Sequence, residues 1–296
     1  MTSSTAGTPA GRVGGVTVVV ITRNRRESLL RTVDRLRGLP EAPPLVVVDN
    51  ASGDGTTQAL QAAWPDVDVV RLDDNLGAAG RTVGVVRAGT PYVAFCDDDS
   101  WWDPGALDRA ATVLDQHPRL GLVAARLLVG SAGRLDPVSR EMAASPLGVV
   151  PGVGPVVLGF LACAVVVRRS AYLDAGGFHP RYGVGGEEAL LAIDLVERGW
   201  QCAYVDRVVA RHHPSSERAS GERETRVVRN DLWTLWLRHR PRGALTGTVR
   251  RLRRWPSGPV RAGFREAIGG LRWVRRERAA VTPSTDRLLQ RLAAGQ

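Results

Sequence analysis

Three consecutive aspartates, Asp97, Asp98 and Asp99, are the strongest candidates for chemistry in the sequence. They directly follow an apolar run at 92–95. Alternate side chains of an extended segment lie on the same side, so Asp97 and Asp99 are expected to converge. Two carboxylates this close repel each other unless a cation lies between them, and Mg²⁺ or Mn²⁺ held partly by phosphate oxygens meets that need. The pattern favours a metal–diphosphate site over a solvated acidic loop or a helix cap.

Two more polar clusters follow apolar runs earlier in the chain. The first run ends at Thr22, Arg23 and Asn24, and the second ends at Asp49. Helix-period segments separate the runs, and this alternation is typical of a parallel sheet that helices cover on both faces. Ligands bind where the carboxyl ends of such strands open into loops, so all the polar clusters are expected on one rim of the sheet.

The alternation predicts an α/β fold with a Rossmann-like, mostly parallel sheet. The first loop lacks the pattern GxGxxG and the chain lacks GxxxxGK[ST], which argues against a dinucleotide site or a P-loop. A helix is expected to open after Asp103, an N-cap residue followed by proline. The predicted strands cover residues 16–21, 45–48, 67–72, 92–95, 160–167 and 201–205, the last with an extension to residue 210.

The net positive charge of the chain is confined to its last third. The 296 residues carry 40 arginines, no lysine and 30 acidic groups, a net charge of +10. Residues 1–200 have a net charge of −3, and residues 201–296 have a net charge of +13. Three interpretations of this basic region stay open: a helical extension with its arginines in water, a surface for an anionic membrane, or a surface for an acidic partner or nucleic acid.

Other features exclude several classes of protein. A hydrophobic content of 44% excludes a disordered chain, and Cys96, Cys163 and Cys202 give neither a disulfide framework nor a CxxC metal site. Residues 1–15 predict a disordered tail without a signal peptide. The uncharged stretch 146–167 could span a bilayer, but its prolines and glycines predict a loop followed by a strand. The expectation is a cytoplasmic protein, with peripheral contact on the inner face of the membrane as the open alternative.

Several short motifs follow one another in a characteristic order. They are Ile-Thr-x-Asn, Val-Val-Asp-Asn-Ala-Ser-x-Asp-Gly-Thr, Asn-Leu-Gly-x-x-Gly, the three aspartates, Gly176-Gly177-Phe178 and Gly186-Glu187-Glu188. Over about residues 16–214 this order resembles the family 2 glycosyltransferases of the GT-A fold. The resemblance implies a metal-dependent, inverting enzyme that moves a sugar from a nucleoside diphosphate to an acceptor hydroxyl. It implies a GT-A catalytic domain at 16–235, leaving an arginine-rich, helical extension at 236–296.

The resemblance also implies roles for single residues at the donor site. The metal, Mn²⁺ or Mg²⁺, would be held by Asp99 and Asp97, joined by His212 or His213, and neutral imidazole suits Mn²⁺ better. The donor would be a UDP- or dTDP-sugar. The implied donor-binding residues are Thr22, Arg23, Asn24 and Asp49 at the nucleobase, Asn75, Gly77 and Arg81 beside the nucleotide, and Asp97 and Asp98 at the diphosphate and sugar.

Glu187 and Glu188 open a helix-period segment after a glycine-rich stretch. Inversion needs a carboxylate that takes the acceptor's proton while the acceptor oxygen attacks the anomeric carbon, and Glu188 is the predicted general base. The resembling enzymes more often have Glu-Asp here, so the choice between Glu187 and Glu188 stays open. The alternative is two first-turn acids that complement the helix dipole.

The acceptor is not identified by any motif. A small molecule, a glycan or a lipid-linked acceptor would fit, and Trp101 and Trp102 could stack on a sugar ring or pack in the core. A nucleotidyltransferase is the alternative enzyme, because it too places a nucleotide and a metal on such a rim. An arginine-rich nucleic-acid-binding protein is the alternative from another class, but the sequence shows no recognisable nucleic-acid module, so no nucleic acid is expected as a partner.

Overall fold

The structure of the chain, a computed structural model, describes residues 15–214, 220–253 and 257–294. Except for Gly15, the tail predicted at 1–15 lies outside these ranges, and so do Arg254 and Trp255 of the basic region. The strands of the described ranges are β1 (Val16–Thr22), β2 (Leu45–Asp49), β3 (Asp68–Arg71), β4 (Tyr92–Asp97), β5 (Ser100–Trp102), β6 (Leu120–Val129), β7 (Arg134–Leu135), β8 (Val149–Val150), β9 (Gly154–Pro155), β10 (Val165–Arg168) and β11 (Gln201–His212).

One large sheet contains nine of these strands and forms the centre of the described chain. Its order is β3-β2-β1-β4-β10-β6-β11-β5, with β7 beside β6. β1 is parallel to β2 and β4, β2 is parallel to β3, and β6 is parallel to β11. β10 runs antiparallel between β4 and β6, and β5 is antiparallel to β11. The carboxyl ends of β1, β2 and β4 therefore share one rim, and the predicted α/β architecture is confirmed.

Helices cover both faces of the sheet. Val18 and Val20 of β1 belong to one apolar cluster, while Val19 and Ile21 belong to the other, because alternate side chains of a strand point to opposite faces. Helices α1, α2 and α4 contribute to the first cluster, and α3, α6 and α7 to the second. The helices of the catalytic region are α1 (Arg26–Arg37), α2 (Thr56–Ala63), α3 (Gly80–Arg87), α4 (Ala106–Gln116), α5 (Pro137–Ala143), α6 (Arg169–Asp174) and α7 (Glu187–Glu197).

The strand predicted at 160–167 is shorter than expected. It begins only at Val165, because the backbone N–H of Ala164 donates to the carbonyl oxygen of Leu161 at 2.9 Å and closes a turn. The direction of this strand, antiparallel to both neighbours, was not predicted from its apolar composition.

The basic region folds into helices that pack on the catalytic region. Tyr182 and Leu190 share an apolar cluster with Trp233 and Trp273. The domain boundary predicted after residue 235 falls inside a helix. Among the described residues, no helix has the length and apolar character needed to cross a bilayer. The helices of this region are α8 (Ser220–Arg238), α9 (Pro241–Leu252), α10 (Gly258–Gly269), α11 (Leu271–Glu277) and α12 (Pro283–Ala294).

Candidate active site

The three aspartates lie at the rim end of β4, where the chain turns. Asp97 is the last residue of β4, and Asp98 and Asp99 form a turn before β5. The expectation that Asp97 and Asp99 converge as alternate residues of an extended segment is therefore wrong. Asp97 pairs with Arg81, whereas Asp98 and Asp99 both pair with Arg25. The turn divides the acidic cluster between two cations.

Arg25 bridges the two aspartates of the turn. Its Nε lies 3.2 Å from Asp98 Oδ1, and its Nη2 lies 3.1 Å from Asp99 Oδ2. The hydroxyl of Thr22 donates to Asp98 Oδ2 at 3.0 Å. Burial raises the pKa of Asp98 to about 7, and the charges of Asp97 and Asp99 add to this, while Arg25 opposes it. Asp98 is thus a buried link between the ends of β1 and β4.

His212 and His213 take different positions beside Asp99. His212 Nε2 lies 3.2 Å from Asp99 Oδ1, because β11 pairs His212 with Ser100 of β5. His213 is exposed; its backbone N–H donates to the carbonyl oxygen of Asp99 at 2.9 Å, and its ring lies 5.0 Å from that of Trp101. Of the two histidines, His212 is the one whose imidazole meets a carboxylate of the cluster.

The donor set at Asp99 fits a divalent cation that a ligand helps to hold. One carboxylate and one imidazole, Asp99 and His212, lie side by side, a combination that suits Mn²⁺ better than Mg²⁺. Within the described ranges, no group of three or more acidic, histidine or cysteine side chains could hold a metal ion. Phosphate oxygens and water would therefore complete the coordination.

Arg81 is a buried cation between Asp97 and the start of α7. Its side chain is 2% exposed, and its Nη2 binds Asp97. Among the described residues, its Nε and Nη1 are buried without a hydrogen-bond partner. Its positive charge lowers the pKa values of Glu187 and Glu188. Buried donors without a partner are costly, and an anionic ligand on the rim would satisfy them.

Glu187 and Glu188 open α7 as predicted but differ in exposure. Glu187 is 2% exposed, and its carboxylate accepts a hydrogen bond from the backbone N–H of Gly185. Burial, helped by the charge of Glu188, raises the pKa of Glu187 to about 8. Burial also raises the pKa of Glu188 above 4.5. Glu188 is half-buried, so it is the member of the pair with accessible surface.

The glycine loop, residues 183–186 before α7, is pressed against the turn of the Asn-Leu-Gly motif. The backbone N–H of Ala78 donates to the carbonyl oxygen of Gly183 at 3.0 Å. A Cβ on Gly77 would lie 2.7 Å from Gly183 Cα, and the φ of Gly77 is +57°. The turn of the Asn-Leu-Gly motif and the loop that carries the acidic pair therefore touch backbone to backbone, which requires glycine.

The substitution Gly77→Ala is expected to lower the free energy of unfolding by about 2 kcal/mol or more, because it adds left-handed strain and a backbone clash. Chemical denaturation measures this loss, and transfer activity should fall with it as the loop is displaced. Gly53→Ala is the matched control, since Gly53 lies in the loop after β2 and a Cβ there meets nothing within 4 Å. Equal stability of the two variants would contradict the proposed close contact.

Asp49 fixes the segment that follows β2, and Asn24 joins the loop after β2 to the loop after β1. Asp49 is fully buried, and its two oxygens accept hydrogen bonds from the backbone N–H of Ser52, at 2.9 Å, and from the hydroxyl of Thr57. Asn24 Oδ1 accepts from the backbone N–H of Gly53 at 2.7 Å. The structure places Asp49 beneath the rim surface and Asn24 on it.

Arg23 and Asn75 are predicted donor-binding residues that lie on the surface of the protein. Both are exposed. Asn75 Oδ1 accepts a hydrogen bond from the backbone N–H of Gly77 at 3.0 Å, so it shapes its own turn. Neither side chain bonds to the three aspartates in the described structure, and their donor-binding roles stay predictions.

A pocket of about 600 Å³ opens on the Asp99 side of the rim. This volume lies in the range of small-molecule sites. Trp101 forms part of its wall, with the guanidinium of Arg35 3.7 Å from the ring centroid. Trp102 is fully buried in the core, so Trp101 is the one of the pair that can meet a ligand. The arginines among the lining residues are Arg25, Arg26, Arg31 and Arg35.

Three residues with direct contacts in the site had no role assigned from the sequence. Arg25 directly follows the first polar cluster. Asn50 lies in a quoted motif, and its Oδ1 accepts from the backbone N–H of Leu76 at 3.1 Å. Asn230 of α8 is fully buried, and its Nδ2 donates to the carbonyl oxygen of Gly185 at 2.6 Å. No sequence signal marks Asn230, because it lies 45 residues from its partner.

This rim, with a carboxylate–imidazole pair, a buried arginine and an acidic helix start, is that of an α/β enzyme that handles an anionic ligand. Residues 17–172 match the family model described as Glycosyl transferase family 2. The match covers more than half of the 296 residues, and the chain belongs to this family. It is a nucleotide-sugar-dependent glycosyltransferase, as the motifs implied.

A curated relative agrees with this assignment, and solved structures share the fold. The chain is 28% identical over 275 residues to an N-acetylglucosaminyl-diphospho-decaprenol L-rhamnosyltransferase of Mycobacterium tuberculosis, covering 78% of this chain and 89% of the relative. A mannosyltransferase from Pyrobaculum calidifontis, solved with GDP-Man and Mn²⁺, matches with a TM-score of 0.59 and 19% identity over 94% of this chain and 86% of that one. GalNAc-T7, solved with UDP, GalNAc and Mn²⁺, matches with a TM-score of 0.59 and 13% identity over 76% of this chain; the match spans about half of that enzyme, 48%.

Proposed function

We propose that the chain is a metal-dependent, inverting glycosyltransferase that uses a UDP- or dTDP-sugar. One observation carries the proposal: the turn at the end of β4 divides the acidic cluster between Arg25 and His212 on one side and Arg81 on the other. A nucleoside diphosphate and a cation would occupy the first side, and the acidic start of α7 lies beyond Arg81. The neighbours solved with Mn²⁺ and nucleotides support this arrangement.

Residues that already lie on the rim are proposed to bind the donor. Asp99 and His212 would hold the cation, which when bound neutralises the charge of the departing diphosphate. Arg81, on the other side of the turn, is a buried cation beside Asp97, and its positive charge would attract the anionic donor from there. The arginines of the pocket add positive charge next to Asp99.

Glu188 is the proposed general base, and Glu187 is proposed to shape the loop. Glu188 is half-buried, whereas Glu187 is buried and its carboxylate accepts a hydrogen bond from Gly185 in its own loop. Glu188 would take the proton of the acceptor hydroxyl. At the same time, the acceptor oxygen would attack the anomeric carbon from the side opposite the diphosphate. A raised pKa makes Glu188 a stronger base than an exposed glutamate.

The proposed acceptor is a lipid-linked sugar at the inner face of the membrane. The support is the rhamnosyltransferase relative, whose name states a diphospho-decaprenol acceptor and which this chain covers to 89%. A small molecule and a free glycan are the other acceptors to be compared in a transfer assay. Release of a nucleoside diphosphate supports a glycosyltransferase, while release of pyrophosphate from a nucleoside triphosphate would support a nucleotidyltransferase instead.

The metal site is tested by calorimetry with UDP, dTDP and GDP, each with Mn²⁺ or with a chelator. Asp99→Asn is expected to weaken nucleotide binding in Mn²⁺ by at least about tenfold, because it removes a charged ligand. Asp108→Asn, an exposed change on α4, is the matched control and should bind as the unmodified chain does. Nucleotide affinity that is the same with Mn²⁺ and with chelator would refute metal dependence.

The pH dependence of transfer is expected to show an acid limb above the ordinary glutamate pKa of 4.5. Glu188 acts only when ionised, and burial raises its pKa, so the rate falls as pH drops through that raised value. The charges that oppose this shift are Arg81 of α3 and Arg223 of α8. Arg223→Gln removes one of them and should move the limb to higher pH by a few tenths of a unit.

Arg223 is exposed, so this substitution is not expected to disturb folding. Arg119→Gln, on an exposed turn before β6, serves as the control that leaves the limb in place. A limb that stays fixed in Arg223→Gln, or that moves to lower pH, would argue against Glu188 as the titrating base.

A further inference from the structure

Helix α9 presents an apolar stripe to solvent. Leu245, Val249 and Leu252 are 58%, 45% and 41% exposed. Offsets of four and three residues place them on one face of the helix. The helix packs on the rest of the chain through another face, where Ala244 is fully buried. Three aliphatic side chains aligned in water mark an interaction surface, whereas scattered single ones would not.

The α9 stripe is bordered by an indole on one side and by cations on the other. The Nε1 of Trp236, on α8, donates to the hydroxyl of Thr248 at 3.1 Å, and the indole is 36% exposed. Helical offsets place Arg242 and Arg253 along the opposite border. Both are exposed and form no ion pair with any described residue. The sequence of α9 contains no acidic residue.

We infer that the α9 stripe docks on the surface of an anionic lipid bilayer. Aliphatic and indole groups with flanking arginines are the combination that lies in the interface of a charged membrane. The net charge of +13 over residues 201–296 is complementary to such a surface. Nucleic acid also carries negative charge, but it offers no apolar phase in which the aliphatic side chains of the stripe could be buried. The inference goes beyond the proposed function, because vesicle binding is measured without any sugar transfer.

Vesicle flotation with the full chain tests the apolar part of the surface. The chain is expected to float with vesicles of phosphatidylcholine and phosphatidylglycerol at low ionic strength and to stay in solution with phosphatidylcholine alone. Leu245→Ser/Val249→Ser/Leu252→Ser should abolish flotation. Val86→Ser/Val149→Ser is the matched control, since both valines are exposed, at 60% and 66%, and lie on the catalytic region. Circular dichroism and donor binding show that the variants are folded.

A second pair of variants tests the charged border. Arg242→Gln/Arg253→Gln should weaken binding to anionic vesicles about thirtyfold, because each arginine near such a surface contributes a roughly fivefold gain in affinity. Arg119→Gln/Arg134→Gln, both exposed elsewhere, is the control expected to bind normally. The inference is overturned if the unmodified chain binds no anionic vesicles at low salt, or if the α9 variants bind as it does. It is also overturned if light scattering shows that the serine variant converts a dimer to a monomer, because a second copy would then cover the stripe.

Discussion

The substitution Glu188→Gln is expected to reduce transfer by about 10²- to 10⁴-fold, the range that general acid–base catalysis supplies. The amide has nearly the shape of the carboxylate but cannot take a proton. Glu188 is proposed to act on the acceptor and not on the donor, so binding of the nucleoside diphosphate should be unchanged. Single-turnover transfer gives the rate, and calorimetry with Mn²⁺ gives the affinity.

Glu187→Gln is the comparison that decides between the two glutamates. Glu187 is buried and accepts a hydrogen bond from the backbone N–H of Gly185, which the oxygen of a glutamine can also accept. This variant should therefore lose less than about tenfold in rate. If Glu187→Gln were the inactive variant and Glu188→Gln the active one, the roles proposed for the pair would be reversed. Loss of nucleotide binding in Glu188→Gln would instead indicate a donor-binding role.

Local patterns were sufficient to predict the elements of the catalytic fold. β1 and β2 end at the polar clusters because apolar runs, helix periods and turn residues all agree on these boundaries. The α7 start at Glu187 was predicted for the same reason. Elements whose local sequence signals do not agree in this way begin at other residues than predicted. The helix expected after Asp103 begins at Ala106, because the carboxylate of Asp103 pairs with Arg211, 108 residues away, and Gly105 precedes the helix instead.

The candidate site was predicted as a set of residues but not as a geometry. The sequence placed Asp97, Asp98 and Asp99 on the rim, yet the turn at Asp98 and Asp99 reversed the expected grouping. Which cation each aspartate meets depends on Arg25, from the loop after β1, and on Arg81, from α3. Such pairings are set by packing between distant elements, and hydrophobic periodicity carries no information about them.

The basic region has a role in the site that its composition concealed. Charge counting assigned the positive charge to an extension separate from catalysis, but α8 (Ser220–Arg238), most of which lies within the predicted catalytic domain 16–235, contacts the glycine loop directly. The backbone of Gly185 and Gly186 is so close to α8 that a Cβ on Gly185 would lie 3.1 Å from Val227 Cγ2. The loop is thus held between α8 on one side and the Gly77 turn on the other. Its conformation, and the direction of Glu188, depend on both contacts.

Asn230→Ala is expected to lower the turnover number about a hundredfold, a loss typical of a displacement of about 1 Å at the reacting groups. Asn230 is a positioning residue: its Nδ2 donates to the carbonyl oxygens of Tyr182, at 2.9 Å, and Gly185, at 2.6 Å, and so fixes both ends of the glycine loop. Alanine leaves the buried carbonyl of Gly185 without this donor, which should also cost about 2 kcal/mol of stability. Nucleoside diphosphate affinity, measured by calorimetry, should be retained, because the α8 contact is on the far side of the loop from the donor.

Thr234→Val is the control that separates a loss of positioning of the glycine loop from a general loss of folding stability. Thr234 lies one turn further along α8, is 5% exposed, and bonds to the hydroxyl of Tyr182 at 2.9 Å rather than to the loop backbone. The valine variant should lose about 1 kcal/mol of stability but keep its turnover number near that of the unmodified enzyme. Two results would show that Asn230 serves folding alone: an alanine variant that is less stable but fully active, or a valine variant that loses as much turnover as the alanine variant. A selective loss of turnover in Asn230→Ala would make α8 part of the catalytic unit.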